Sequence, residues 1–234
     1  MNWARAEPAA PSPINRAAAG AIQREVRIDF MPFYLTALDG QKKTTPALCS
    51  QILLSDGALA VFDATENAHR HHILDISFAP ARVAPEVAAA AREHVAAVAR
   101  GLDLVGLVAL EMFLLSDGRL IGNEIAPRPH NSGHWTMDAC IASQFEQHIR
   151  AVVGLPLGVP DRHHDAVMRN LIGPEGMAAW PGLQGQAGIA PHLYGKAEAR
   201  PGRKMGHANR LLPLGALASM DDTAALGPLA EIVA

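Results

Sequence analysis

The sequence predicts an α+β fold, an antiparallel sheet with helices packed against it. Three observations carry that prediction. Asp56-Gly57 and Asp117-Gly118 are two-residue hairpin signals, each flanked by apolar, strand-favouring runs. Between them, residues 85–101 repeat apolar side chains at helical spacing through Val87, Ala91, Val95 and Val98.

Taken in order, Met1 to Gly20 is rich in Ala and Pro, carries Arg5 and Arg16, and lacks the continuous apolar run of a signal peptide. Arg24 to Phe30 can form a strand, but Gly40 to Thr45 is polar, so residues 1–47 read as an atypical, partly disordered leader. Ser50 to Phe62 follows as a hairpin turning at Asp56-Gly57, and then comes the Ala-rich helix 85–101. Strands 105–115 and 120–125 form the second hairpin. Thr136 is a candidate N-cap for a helix over 136–153 that packs against the sheet, with Ile141, Phe145, Ile149 and Val152 as apolar positions at helical spacing and Gly154-Leu-Pro156 as its stop. Pro160 to Asp165 reads as a polar linker. Three strands are predicted beyond it, Ala166 to Ile172, Ile189 to Tyr194 and Lys204 to Leu211. The predicted organisation is a leader (1–47), a sheet-and-helix unit (48–158) and a small β-rich C-terminal domain (159–234).

Length and charge bound the possibilities. A chain of 234 residues can bury the core of one or two domains. A net charge of −3 excludes a general affinity for nucleic acid or anionic membranes. Cys49 and Cys140 lie far apart without CxxC spacing, which indicates neither zinc nor a disulfide framework and fits a reducing cytoplasm. No apolar run approaches the length of a membrane span.

The second hairpin carries the chemistry. If Asp117 and Gly118 are its central turn residues, Ser116 opposes Arg119 and every pair sums to the same number. Glu111 then faces Glu124, with Cβ atoms about 5 Å apart. Leu107, Ala109, Phe113, Leu115 and Leu120 share that face, so the two acids interrupt an apolar surface. Like charges so placed destabilise a hairpin unless a cation sits between them. Oxygen ligands favour Mg2+ or Mn2+ over zinc. The bland alternative is a bulge that slips the register and leaves one glutamate solvated at a sheet edge.

Beyond Glu124, two prolines keep Ala126 to His134 extended. Arg128 offers a planar fork to phosphate or carboxylate oxygens. His130 and Asn131 add donors, and Ser132-Gly133 lets the backbone approach an anion closely. Anion donors beside a metal hairpin and a helix start suit phosphoryl transfer. Two histidine groups, His69 with His71 and His72, and His163 with His164, invite a zinc reading. Adjacent histidines on a strand point to opposite faces, so exposed or hydrogen-bonding roles are favoured for them. Lys196, Arg200, Arg203 and Lys204 form a basic cluster of the kind that is ordinarily solvated surface, although Pro201-Gly202 reverses the chain and can bring Lys196 and Arg203 onto one anion.

The string Asn123-Glu-Ile-Ala-Pro-Arg-Pro-His-Asn-Ser-Gly-His-Trp-Thr136 resembles the carboxylate-metal hairpin of the 5-(carboxyamino)imidazole ribonucleotide synthases, ATP-grasp ligases also called the ATPase subunit of phosphoribosylaminoimidazole carboxylase. Ala126 stands where many other ATP-grasp enzymes carry Asn. Glu66 to Arg70, with Ile73-Leu74 and Ala79 to Arg82, resembles that family's central strands. His192 to His207 resembles its C-terminal domain. The resemblance implies the C-terminal half of an ATP-grasp fold, the cofactors ATP and Mg2+ (or Mn2+), and carboxylation of aminoimidazole ribonucleotide with bicarbonate through carboxyphosphate. By the same resemblance Glu111 and Glu124 hold the metal, and Arg128, His130 and Asn131 are catalytic. Arg128, Asn131, Ser132 and Gly133 would contact phosphate or acyl phosphate, while Lys196, Arg203 and Lys204 would hold the 5′-phosphate of the ribonucleotide. A homodimer is implied as well. The substrate-binding domain and nucleotide lid of the family find no counterpart in residues 1–47, so a truncated chain with impaired activity is expected. The alternatives are another ATP-grasp ligase or carboxylase, or a non-catalytic remnant or partner subunit.

Overall fold

The computed structural model describes residues 47–55 and 57–232. The readings made for residues 1–46 and for Asp56 lie outside them. The strands are β1 (Ala47–Ser55), β2 (Ala58–Val61), β3 (Thr65–Arg70), β4 (Ile73–Ala79), β5 (Gly106–Leu114), β6 (Leu120–Ala126), β7 (Asp165–Ile172), β8 (Ile189–Leu193) and β9 (Lys204–Leu212). The helices are α1 (Pro85–Gly101), α2 (Thr136–Ala139), α3 (Gln144–Val152), α4 (Gly173–Leu183) and α5 (Asp222–Leu226). All nine strands among the described residues join one antiparallel sheet in the order β6-β5-β1-β3-β4-β7-β9-β8, with β2 beside β1.

Strand alternation sorts the apolar residues onto two faces. On one face Leu48, Ile52, Val108, Leu110 and Met112 pack against Ala91, Val95, Val98 and Ala99 of α1, the helical stripe read from the sequence. Pro85 in the first turn of α1 and Arg100 in the last suit the two helix ends. Each fully buried valine of that stripe contributes roughly 1.5–3 kcal/mol. On the other face Leu53, Leu74 and Leu107 pack with Trp135, Ala139, Ala151, Ala166 and Met168.

That second cluster runs without interruption from the first hairpin into β7. β4 pairs with β7 from Ile76↔Arg169 to Ala79↔Ala166, so the C-terminal strands extend the same sheet. The polar segment before β7 is clamped instead of solvated. Arg162 bonds Asp165 at 3.0 Å and also pairs with Asp63, while buried Asp165 accepts from the Leu217 amide. The segment is also less purely β than expected, because α4 separates β7 from β8 and α5 follows β9.

The helix predicted over 136–153 is broken in two. Cys140 is extended (φ −122°, ψ 153°) and bridges to Arg162, after which Ser143 caps α3 by accepting from the Glu146 amide. The break changes which face is buried. Gln144, Gln147 and Ala151 point inward, whereas Ile141 (78% exposed), Phe145, Ile149 (60%) and Val152 face out. The inward amides are satisfied: Gln144 exchanges two 2.9 Å bonds with the His130 backbone, and Gln147 closes on both the N–H and C=O of Gly158. Helical spacing places Phe145, Ile149 and Val152 on one stripe of α3 but cannot say which side the sheet covers, and Ile141 lies in the break.

Candidate active site

The β5–β6 turn differs from the two-residue reading. Leu115 N–H bonds Arg119 C=O, so the loop holds three residues, Ser116, Asp117 and Gly118, with Gly118 at φ +85°. A three-residue loop ending in a left-handed glycine is a common hairpin form. Near the turn the pairs are Leu114↔Leu120, Phe113↔Ile121 and Met112↔Gly122. A bulge then places Asn123 outside the ladder, and the pairs beyond it are Glu111↔Glu124, Leu110↔Ile125 and Ala109↔Ala126. The longer turn and the bulge offset one another, and the acids face each other. Leu120 does not share their face as read from the sequence. It opposes Leu114 and packs on the α1 side.

Burial, and then the like charge of Glu124, hold the Glu111 carboxyl above its usual range, while the Asn123 amide, donating to Glu111 Oε2 at 3.3 Å, pulls it back. His130 joins the pair. Its Nε2 lies 3.4 Å from Glu111 Oε1, and the ligand atoms of Glu111, Glu124 and His130 all lie within 4.8 Å of one another. Burial and the nearby charges of Arg128 and Lys204 lower the His130 imidazole to about 4, so it is neutral at physiological pH. Two carboxylates and a neutral imidazole form a donor set that fits a divalent cation.

The 3₁₀ turn Asn131–Gly133 fixes the imidazole. Ser132 Oγ lies 2.9 Å from His130 Nδ1, and Gln144 grips the His130 backbone on both sides. The Ser132 and Gly133 amides, read as anion donors, are used inside this turn, bonding His130 Nδ1 and His130 C=O. Both residues are buried, and the space a side chain at 133 would occupy holds the Gln51 amide. Glycine is needed there for packing. Asn131 is likewise engaged, trading amide bonds of 3.0 and 2.7 Å with Asn170 of β7. Arg128 stays exposed, with one donation to Pro129 C=O at 3.1 Å.

Of the basic residues, Lys204 comes closest to the acids electrostatically. Burial lowers its ammonium pKa, Glu111 pulls it back up, and Lys196 and Arg128 lower it further, with a net downward shift. Lys196 donates to the Lys204 carbonyl, and Arg203 turns to the Glu198 carbonyl at 3.1 Å. The histidine groups do not gather on one metal position among the described residues: His71 and His72 sit at positive φ in the β3–β4 turn, and the His163 and His164 rings meet each other. Cys49 and Cys140 are free, buried thiols. Burial pushes the Cys140 thiol up to about 12 and raises Cys49 as well.

Sequence reasoning missed a second group beside the site. His192 and His207 pair across β8 and β9 and stack at 4.7 Å. His192 bonds Asp138 at 2.8 Å, Tyr194 OH meets His207 Nδ1 at 3.0 Å, and the His134 ring lies 5.0 Å from His207. The alternation of His192 with Tyr194 on one strand was the available signal, but only the β8–β9 register shows that His207 joins them.

Comparison with known proteins agrees with these elements. Residues 51–145 match the ATP-grasp domain, and residues 166–213 match the phosphoribosylaminoimidazole carboxylase C-terminal domain. The N5-carboxyaminoimidazole ribonucleotide synthase of Brucella melitensis biotype 1 is 52% identical over 157 residues, covering 67% of this chain and 43% of that protein. Its counterpart in Bacillus subtilis is 48% identical over 154 residues, covering 65% and 40%. A crystal structure of an N5-carboxyaminoimidazole ribonucleotide synthetase as its ADP complex superposes with a TM-score of 0.70 at 40% identity, over 80% of this chain and 47% of that one. The Aspergillus clavatus synthase in complex with ADP and 5-aminoimidazole ribonucleotide superposes with a TM-score of 0.73 at 30% identity, over 80% and 51%. The chain thus spans less than half the length of the two bacterial relatives. With both matched domains and the fold in common, it belongs to the ATP-grasp family of N5-carboxyaminoimidazole ribonucleotide synthases, of which it carries the C-terminal part.

Proposed function

We propose that this chain serves ATP-dependent carboxylation of 5-aminoimidazole ribonucleotide with bicarbonate, a step of purine synthesis, as the C-terminal portion of the ligase. The observation that carries the reading is the facing pair Glu111 and Glu124, with His130 and Lys204 in the same electrostatic field. Glu111 and Glu124 would hold Mg2+ or Mn2+. Such an ion, when bound, supplies positive charge to phosphate oxygens.

The chain's own residues do the rest. Arg128 keeps most of its fork for an anionic acyl phosphate, and Lys204 adds a positive charge beside it. His130 acts through its position between the acids and the 3₁₀ turn, and Asn131 holds that turn to β7. Lys196 and Arg203, on the loop between β8 and β9, are assigned to the 5′-phosphate of the ribonucleotide. A homodimer and a cytoplasmic setting belong to the same proposal. The free thiols support the cytoplasm, and no helix among the described residues is long and apolar enough to cross a membrane.

The test is ADP release from ATP in Mg2+, with bicarbonate and aminoimidazole ribonucleotide added singly and together. The chain is assayed alone and with the N-terminal part of the Bacillus subtilis relative supplied. Release that needs both substrates in the supplemented mixture is expected. Release indifferent to the ribonucleotide would point to a different ATP-grasp substrate, and none in either mixture would favour a non-catalytic partner subunit.

A further inference from the structure

We propose that Asn170 of β7 is a positioning residue for the carboxylation: through Asn131 and Tyr194 it holds the acyl-phosphate end of the site and the ribonucleotide end in one fixed relation. The proposal rests on the ligase reading above and deepens it.

Asn170 is fully buried and lies directly opposite His207 in the β7–β9 ladder. Its Nδ2 donates to the Leu74 carbonyl at 2.9 Å and to Asn131 Oδ1 at 2.7 Å, and its Oδ1 accepts from Asn131 Nδ2 at 3.0 Å. A backbone carbonyl can only accept, so the end of the amide that faces Leu74 must be the NH2. That sets the direction of every bond beyond it. Asn131 meets Asn170 in one orientation, oxygen to nitrogen and nitrogen to oxygen, which leaves a second hydrogen on Asn131 Nδ2. Tyr194 takes that hydrogen: burial raises its phenol, and the Asn131 amide, donating to its oxygen, pulls it back. The Tyr194 O–H then serves His207 Nδ1 at 3.0 Å. The bonds thus leave the sheet at Asn170, pass through the 3₁₀ turn and return to the residue that faces Asn170 across the ladder. His207 Nε2 has no partner among the described residues, so Nδ1 alone decides the tautomer and the proton sits on Nε2.

The circuit spans the two ends of the reaction. Asn131 follows His130 directly, on the segment assigned to the acyl phosphate. Tyr194 lies two residues before Lys196, which is assigned to the 5′-phosphate and whose Nζ is 5.4 Å from the centre of the Tyr194 ring. In the reaction the amine nitrogen bonds the acyl carbon as the C–O bond to phosphate breaks, its proton passing to the departing phosphate. When the amine is out of line, water takes its place, the acyl phosphate returns to bicarbonate and phosphate, and ADP is released without product.

Two measurements on the full chain decide the matter. Nuclear magnetic resonance with 15N-labelled histidine reports which ring nitrogen of His207 carries the proton, its signal being identified by its loss in His207→Gln. We expect Nε2–H in the wild type and a mixture of tautomers in Tyr194→Phe, which keeps the ring beside Lys196 and removes only the oxygen. The second measurement uses the ligase completed with the N-terminal part of the Bacillus subtilis relative. Product formed per ADP released should fall about threefold in Tyr194→Phe and about tenfold in Asn170→Asp, which cannot donate to Leu74 or Asn131. A proton on His207 Nδ1, or a tautomer indifferent to the loss of the Tyr194 hydroxyl, overturns the proposal and leaves the ligase reading intact. An unchanged ratio of product to ADP in Tyr194→Phe does the same, since a loss of stability alone lowers both together. A completed wild-type ligase that releases no ADP with both substrates present overturns both.

Discussion

Asn123 stands outside the β6 ladder and donates its side-chain amide to Glu111 Oε2 at 3.3 Å. The residue that realigns the two strands therefore also solvates the acid that realignment brings inward. Asn123→Ala should leave the bulge in place and remove the donor. The Glu111 carboxyl, already held above its usual range by burial and by Glu124, should rise further. Protons then compete with the ion at higher pH, and the pH at which half of the Mn2+ binding is lost should move upward. An unmoved midpoint would mean that the amide does not act on the acid pair.

Glu124→Gln tests the pair itself, and its two effects have opposite signs. Without a divalent ion, removing one of two facing charges should stabilise the fold by roughly 0.5–1 kcal/mol. With the ion, the wild type should gain melting temperature and the variant should not, because only the wild type binds it in the folded state. Nucleotide turnover in the supplemented enzyme should fall roughly 100-fold or more. A variant that loses stability without the ion would show that some other cation already neutralises the pair.

How much of this was legible can be judged from four residues. Glu111 and Glu124 were found because side chains alternate along strands, and a longer turn was offset by a bulge that sequence alone did not reveal. Ile149 falls on an apolar stripe because helical spacing gives a stripe but no direction. The direction was set by the buried amides of Gln144 and Gln147, whose partners at His130 and Gly158 lie far along the chain. The closeness of Lys204 to Glu111 depends on the β4–β7–β9 order, a non-local pairing that no local motif encodes. Local chemistry was readable, and the long-range register was not.

The inverted helix face gives a stability test. Ile149→Gln alters a side chain that is 60% exposed and should shift stability by no more than about 0.5 kcal/mol. Gln147→Leu removes an amide that closes on both polar groups of the half-buried Gly158 backbone and leaves them without that partner. That should cost about 1–3 kcal/mol. Thermal or denaturant unfolding of the two variants reads the difference, and the reverse ranking would restore the stripe inferred from spacing.

Acid should destabilise the fold through the histidine group between the matched domains. Burial is the first cause that lowers His207 to about 3 and His134 to about 4, and neighbouring positive charges, including His192, add to it. Asp138, Tyr194, His130 and Lys204 are the other titratable groups around them. The ordinary value is 6.5, so below that pH the unfolded chain binds protons that the folded chain does not. The contribution is therefore complete above about 6.5 and is lost as the pH falls toward the folded values, at about 1.4 kcal/mol per pH unit for each histidine. Equilibrium unfolding from pH 7 down to pH 5 should show that slope, and His207→Gln should shallow it.

Lys204 and Arg203 are adjacent in sequence and should part company when a cation and an anion are measured separately. Lys204 is half-buried and in the field of Glu111, His130 and His134, so its charge repels any ion held by the acid pair. Lys204→Met should tighten Mn2+ binding about threefold to tenfold while weakening both phosphate-bearing substrates, an effect that fades at high salt. Arg203 spends its side chain on the loop carbonyl of Glu198, away from that field. Arg203→Ala should leave Mn2+ and ATP binding unchanged and raise the KM for the ribonucleotide alone. Calorimetry for the ion and steady-state kinetics for the substrates separate the two residues. Equal losses for both substrates in Arg203→Ala would mean that the 5′-phosphate is held elsewhere, with Lys204 the remaining candidate.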